Sequence, residues 1–449
     1  MKKALSLLLA VLMTLSLAAC GGNTKESQTN TNDSQTNVDK GQEDTKKTSD
    51  EKSGKITIWA WDPNFNIAIM NYAKEIYTKD NPNVQIDVVD IAKGDLEQKL
   101  HTNLASGVKD GLPEITLIED YNAQKYLQSY PGSFADLTEK INHSDFAEYK
   151  VSLMTLDGKV YGVPFDSGVT GFFYRSDYLE QAGYKHEDLV NITWDQFLEI
   201  GKNVKQKTGK AMVGFDVNDG GLMRTIIQSA GKWYFDENGN INLANNDVLK
   251  EAVRIYKEIA NSDIIKQTSG WDEWVAAFNA GDVASVITGV WIIGSIKAEE
   301  SQSGKWRVAP IPRLNISGAV NASNLGGSSW YVLENTKGKD LAIDFLNKIY
   351  AGNNDFYQKI LVDQGAVGTY KPAQGGASYS SEDPFFGGQK VYAELSEWMK
   401  SIPAINYGLY TYEADAAIFT VMPEVYSGNL SIDEALKKAE EQLKNQINN

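Results

Sequence analysis

Hydrophobic and polar positions follow two periods along the chain. Residues 55–61 (KITIWAW), 84–90 (VQIDVVD) and 114–120 (EITLIED) are short, β-branched apolar runs. Between them lie stretches with apolar residues at helical spacing, 65–79 and 95–106. Strands alternating with helices of this length predict βαβ units and a mainly parallel sheet flanked by helices, an α/β fold. GKVYGVPF (158–165) reads as a hairpin or strand leading to Asp166, and GFFYR (171–175) as a strand followed by a short helix. Thr193 is placed to N-cap a helix, and AMVGFD (211–216) reads as a buried strand. Asn238-Gly239 between extended arms is a hairpin signal. Residues 271–300 read as helix, glycine break, strand, turn and helix; 306–312 and 324–334 read as strands, and 338–352 as a helix. The end, 389–449, reads as nearly all helical, with Ser431 and Glu434 at capping-box spacing.

In sheets of this kind ligands bind beyond the carboxyl ends of the strands. Trp61 and Asp62 end the first run; Glu119, Asp120 and Tyr121 end the third. Both groups therefore fall on the edge where a ligand would sit.

The start of the chain adds a second kind of information. Lys2 and Lys3 precede an apolar stretch, 4–19, that is too short to span a bilayer comfortably, so 1–19 are expected to be an export signal. Leu17-Ala18-Ala19-Cys20 resembles a bacterial lipobox, which implies cleavage before Cys20 and its acylation; the alternative is a plain secretory signal with an incidental cysteine. Cys20 is the only cysteine, so an intrachain disulfide is excluded. Residues 20–54 are polar and are expected to form a disordered tether. The body, 55–449, is longer than one hydrophobic core usually serves, which favours two domains.

A net charge of −16 argues against nucleic acid and against docking on anionic lipid. The 10 Trp, 22 Tyr and 15 Phe sit largely beside Gly, Asn and Asp, a pattern that suits a polar, aromatic-lined cleft better than a greasy core. Residues 236–247 (DENGNINLANND) loosely resemble a calcium loop, but Ile241 occupies the sixth position, where the turn needs glycine. With three scattered histidines and no HExxH pattern, neither a metal nor a cofactor is expected.

The lipobox, the tether, VYGVPFD ahead of FFYRSDYLEQAGY, and FNAGDVASVITGVWIIGS together resemble extracellular solute-binding proteins, the class that includes the maltose-binding proteins of sugar ABC transporters. The likeness covers essentially the whole mature chain and is greatest to xylo- and arabino-oligosaccharide-binding lipoproteins of Gram-positive bacteria. It implies two lobes joined by a hinge, with crossings near 164–168, 318–325 and 367–372. The N-terminal lobe would then be 55–165 plus 325–367, and the C-terminal lobe 168–318 plus 372–449. It also implies a lipid-anchored monomer on the outer face of the cytoplasmic membrane. That monomer would capture an oligosaccharide, a xylo-oligosaccharide first, and pass it to membrane permease subunits.

By position in the family pattern the sugar would meet Trp61, Asp62 and Asn64, then Glu119 and Asp120, Asp166 at the first crossing, and Trp291 as a stacking ring. Trp233, Trp271, Trp274, Gly327, Tyr370, Tyr410 and Tyr412 are further candidates. The chemistry fits a sugar: flat rings cover its C–H faces, and carboxylates and amides bond neighbouring hydroxyls. Each residue also has a structural reading. One of Trp59 and Trp61 is expected in the core, and Trp59 is assigned to it. Asp62 before Pro63 could cap a helix. Trp271 and Trp274, three apart on a helix, could pack that helix, and Trp330 reads as core. Two rival functions remain open. One is a glycosidase using paired carboxylates among Asp62, Glu119, Asp120 and Asp166. The other is a receptor for a different small ligand, such as another oligosaccharide or a peptide; against a peptide, none of the five arginines falls at the expected ligand positions.

Overall fold

The structure, a computed structural model, describes residues 52–447; the expected export signal, Cys20 and the tether up to residue 51 lie outside them. The strands are β1 Ser53–Ala60, β2 Asn83–Asp90, β3 Ile115–Glu119, β4 Thr155–Leu156, β5 Lys159–Val160, β6 Gly162–Pro164, β7 Thr170–Arg175, β8 Ala211–Phe215, β9 Ile265–Gln267, β10 Val283–Gly289, β11 Trp306–Ala309 and β12 Ser328–Val332. β1 starts two residues earlier than the pattern predicts, inside the stretch expected to be tether. β4 and β5 make a small hairpin. The others form two five-stranded sheets, ordered β2-β1-β3-β12-β6 and β11-β7-β10-β8-β9.

In each sheet four strands point one way and one is reversed. β12 is antiparallel to β3 and β6, and β7 is antiparallel to β10 and β11. The reversed strands are those the chain enters directly from the other sheet, so they begin at the edge where the rest end. Three connecting segments meet there. Asp166 bridges Gly368, Val169 bridges Asn324, and Leu325 N–H donates to Gly168 O at 2.8 Å.

Each sheet carries its own core. Ile56, Ile58, Leu117 and Trp330 pack on the helices Asn66–Asp80 and Lys339–Tyr350. Phe172, Met212, Phe197 and Ile255 form the heart of the second. Trp59 and Trp330 are buried, as expected of them. Residues 59 and 61 would share a face in a continuing strand; what separates them is that β1 stops at Ala60, leaving Trp61 in the loop beyond.

Local signals held where the partner was close in sequence. Thr193 Oγ1 accepts from Gln196 N–H at 3.3 Å, and Ser431 does the same for Glu434 N–H at 3.3 Å. At Asn238-Gly239 the extended arms shrink to one bridge, Phe235 to Ile241. The C-terminal region is helical over Val391–Met399, Thr411–Tyr426 and Ile432–Ile447, with an irregular segment between the first two that the pattern did not predict. Among the described residues no helix is long and apolar enough to cross a membrane.

Candidate functional site: an interlobe cleft

The strand edges that converge on the three crossings enclose a cleft of about 1150 Å³. Its first wall comes from the loop after β1 and the end of β3. Trp61, Asp62 and Asn64 line it from that loop, and Glu119 from the last position of β3. Asp62 takes a left-handed conformation, φ 67°, and its Oδ1 accepts from Asn64 N–H at 3.1 Å and Phe65 N–H at 3.2 Å. These bonds brace the turn ahead of the helix Asn66–Asp80, whose N-cap is Phe65 with no side-chain cap, so Asp62 lines the cleft without making the expected helix cap. Glu119 Oε2 accepts from Lys93 Nζ at 2.6 Å and from the Tyr412 hydroxyl, which reaches across from the second lobe. Burial and the Glu119 charge raise the Tyr412 hydroxyl far above its ordinary range, so it is the donor. Asp166, in the first crossing, accepts from Ser328 N–H at 2.7 Å and its Oγ at 3.0 Å.

The second wall is aromatic. Trp271 stands 5.6 Å from Trp274 and 5.8 Å from Trp291, ring centre to ring centre. Trp271 is 51% exposed, so helix packing does not account for it; Trp274, by contrast, also packs edge-on against Phe278 at 5.7 Å. Trp291 is fixed by its indole N–H, which donates to Leu325 O at 2.9 Å. That bond needs two glycines. A Cβ on Gly289 would come within 2.2 Å of Trp291 Nε1, and one on Gly168 within 2.0 Å of Leu325 O.

Four expected residues lie outside this cleft, each for a visible reason. Asp120 is buried in an ion pair with Lys150, Nζ to Oδ2 2.6 Å, and Lys150 also donates to Asp166 O at 2.6 Å. Burial pushes Asp120 up to about 7 even against that ammonium. Trp233 is packed between Tyr121 and Tyr407, at 5.7 and 4.6 Å, and its N–H donates to Thr411 Oγ1 at 3.0 Å. It lines a separate cavity of about 690 Å³. Tyr370 stacks on Tyr357 at 5.3 Å in the first core. Tyr410 lies under the Lys125 ammonium, 5.6 Å from its ring, and Tyr412 is the tyrosine of that segment that lines the cleft. Gly327 lines the cleft, but a backbone reason is also present: φ is 94°, and a Cβ would sit 2.8 Å from Asp120 Oδ2.

The sequence reading missed Asp216, Asn218, Asp219 and Arg224, which line the second wall. Asp216 directly follows β8, so the strand-end rule applied to 211–216 would have found it. Arg224 places a cation in a cleft where none was expected. It pairs with Asp415 and lies 5.1 Å over Tyr121 and 5.5 Å over Tyr412. Burial raises the Asp415 carboxyl against the pull of that guanidinium.

Two α/β lobes facing a cleft, with Asp62, Glu119 and Trp61 on one wall and Trp271, Trp274, Trp291, Asp216 and Asp219 on the other, define a two-lobed ligand-binding protein of the periplasmic type. The chain belongs to the bacterial extracellular solute-binding protein family, which it matches over residues 72–386. It is 56% identical to a lactose-binding protein of Rhizobium radiobacter over 395 residues, 88% of this chain and 93% of that one. It is 28% identical to an arabinooligosaccharide-binding protein of Bacillus subtilis, over 66% of this chain and 70% of that one. Its fold superposes on the sugar-binding protein MalE of Xanthomonas citri with a TM-score of 0.72 at 19% identity, covering 88% of this chain and 98% of that one.

Proposed function

We propose that this chain is the sugar-capturing component of an ABC importer and that its cargo is a short β-galactoside of the lactose type. The observation that carries the reading is the tryptophan shelf of Trp271, Trp274 and Trp291 in one cleft with Glu119, Asp62 and Asp166. Rings cover the C–H faces of a pyranose, and fixed carboxylates accept from its hydroxyls, the stronger kind of neutral-to-charged hydrogen bond. Kinship at 56% identity with a protein named for lactose weighs more than the 28% shared with the arabinooligosaccharide relative, so lactose replaces xylo-oligosaccharide as the first ligand to test. Lobes bounded at 55–165 plus 325–367 and 168–318 plus 372–449 would close on the sugar about the three crossings. Trp61, Asn64 and Gly327 would complete the contacts. The protein would act as a monomer held outside the cytoplasmic membrane through Cys20 and would hand its cargo to permease subunits.

A glycosidase reading is less well supported. The cleft carboxylates Glu119 and Asp166 each have an oxygen already committed to protein donors, which suits fixed acceptors better than a proton-donating acid. The test is a thermal-shift and calorimetric screen of the purified chain against lactose, xylo-, arabino- and malto-oligosaccharides, with chromatography of each mixture. Lactose at ~100 times its Kd should stabilise the fold by about 2.7 kcal/mol. A shift with the xylo series alone would overturn the lactose assignment, and shortened sugar would overturn the binding-protein reading itself.

A further inference from the structure

Trp233, which does not line the cleft, stands between it and a second space. Tyr121, on the helix Asp120–Ser129, lines the cleft, whereas Trp233 and Tyr407 line the separate cavity of about 690 Å³. Both spaces are bordered by both lobes. The second takes Gln124, Ser152 and Thr155 from the stretch between β3 and β6, and Lys232, Asp236 and Asn406 from loops of the other lobe. What separates the two is three rings in mutual contact. Tyr121 stacks on Trp233 with centres 5.7 Å apart and meets Tyr407 edge-on at 4.8 Å, and Trp233 lies 4.6 Å from Tyr407. The three keep 2%, 1% and 1% of their surface, so the triplet is packed shut.

Each ring is also pinned by its polar atom. The Trp233 indole N–H donates to Thr411 Oγ1 at 3.0 Å, the Tyr407 hydroxyl donates to Gln228 Oε1 at 3.2 Å, and the Tyr121 hydroxyl accepts from Gly326 N–H at 3.1 Å. Beside the triplet the lobes are tied together, Lys125 Nζ to Glu413 Oε1 at 2.8 Å and the Tyr412 hydroxyl to Glu119. Trp233 also meets Tyr234 at 5.2 Å. A ring covered by other rings, with its donor already bonded, is a wall and not a stacking surface.

We infer that this aromatic partition ends the cleft on its side and sets the length of the cargo. The second cavity is polar and interlobar like the cleft, and without the partition it would prolong the groove. A sugar ring added at this end would have to displace close-packed aromatic side chains, and a packed interior holds no spare space of that size. A disaccharide that stops short of Tyr121 is unaffected. Trp233 and Tyr407 are then positioning residues that decide specificity while touching no bound sugar, because they hold Tyr121 across the way. The inference rests on the reading of the cleft as a sugar site and adds the residues that limit how long that sugar can be.

The experiment compares lactose with two trisaccharides by calorimetry: galactosyl-lactose, extended at the galactose, and galactosyl-cellobiose, extended at the glucose. On the wild-type chain at least one trisaccharide should bind at least about tenfold more weakly than lactose. Trp233→Ala joins the two cavities, and the excluded trisaccharide should then bind within about threefold of lactose, while lactose itself changes by no more than about threefold. Tyr407→Ala opens the same partition from its other member and guards against a Trp233 variant that fails to fold; the lactose affinity reports folding in both. Wild-type binding of both trisaccharides as tight as that of lactose overturns this inference alone. So does an exclusion that persists in a variant that still binds lactose. Binding of none of the three sugars overturns the sugar reading of the cleft and this inference with it.

Discussion

The two walls of the cleft solve the same problem by different means. The first offers oxygens, each already steered by a neighbour: Glu119 by Lys93 and Tyr412, Asp62 by the backbone of its own turn, Asp166 by Ser328. The second offers chiefly area, three indoles whose centres lie 5.6 and 5.8 Å apart along a chain of contacts, with Asp216 and Asp219 beside them. Even the cations differ. The first lobe's Lys150 is wholly buried away from the cleft, while Arg224 of the second lines it. Aromatic area works in any orientation and is cheap to desolvate, whereas directional acceptors demand a fixed pose. On the proposed function the contrast would amount to a division of labour: the second wall would hold the sugar in an open state, and the first would read its hydroxyls on closing.

The comparison can be broken most forcefully at the cations. Arg224→Met strands Asp415 in the interior and should cost ~3–5 kcal/mol of stability, read by urea denaturation. Lys150→Met should behave differently with pH. Because burial already lifts Asp120 to about 7, its folded form binds more protons than the unfolded chain between roughly pH 4 and 7, so stability from this group is present in acid and is lost as pH rises through 7. The Lys150→Met penalty should therefore be larger at pH 8 than at pH 5; an equal penalty at both would show that Asp120 stays ionised throughout.

Within the cleft, Trp291→Ala should weaken sugar binding by ~2 kcal/mol, as loss of a well-packed indole commonly does. Glu119→Gln should cost somewhat less, about 1.5 kcal/mol, since it keeps the shape and loses the charge on the acceptor. If Glu119→Gln proved the more damaging of the two, the first wall would carry the affinity and the division of labour would be reversed. Smallest is Asp62→Asn, which keeps an acceptor for the Asn64 and Phe65 N–H groups; its effect on melting and on binding should stay under about 1 kcal/mol.

The fold was largely legible because its signals are local. Apolar alternation marked β1, β2 and β3 to within two residues, and the strand-end rule pointed to Trp61, Asp62 and Glu119. What failed was everything decided by a distant partner. Glu119 and Asp120 are adjacent and chemically alike, yet one faces the cleft and the other turns to Lys150, thirty residues on. Trp233 and Tyr370 have the composition of stacking residues, but Tyr121 and Tyr357 take up their faces first. Arg224 escaped notice because a helix interior carries no sign that its side chain will surface in a cleft.

The carbonyl of Leu325 accepts the Trp291 indole in a space kept open by Gly168 and Gly289. In a saturation-mutagenesis map scored for transport, these two glycines should stand out as intolerant as any sugar contact, even to alanine. A designer grafting a new specificity onto this scaffold would therefore have free choice among the wall side chains and almost none at two positions that have no side chain at all.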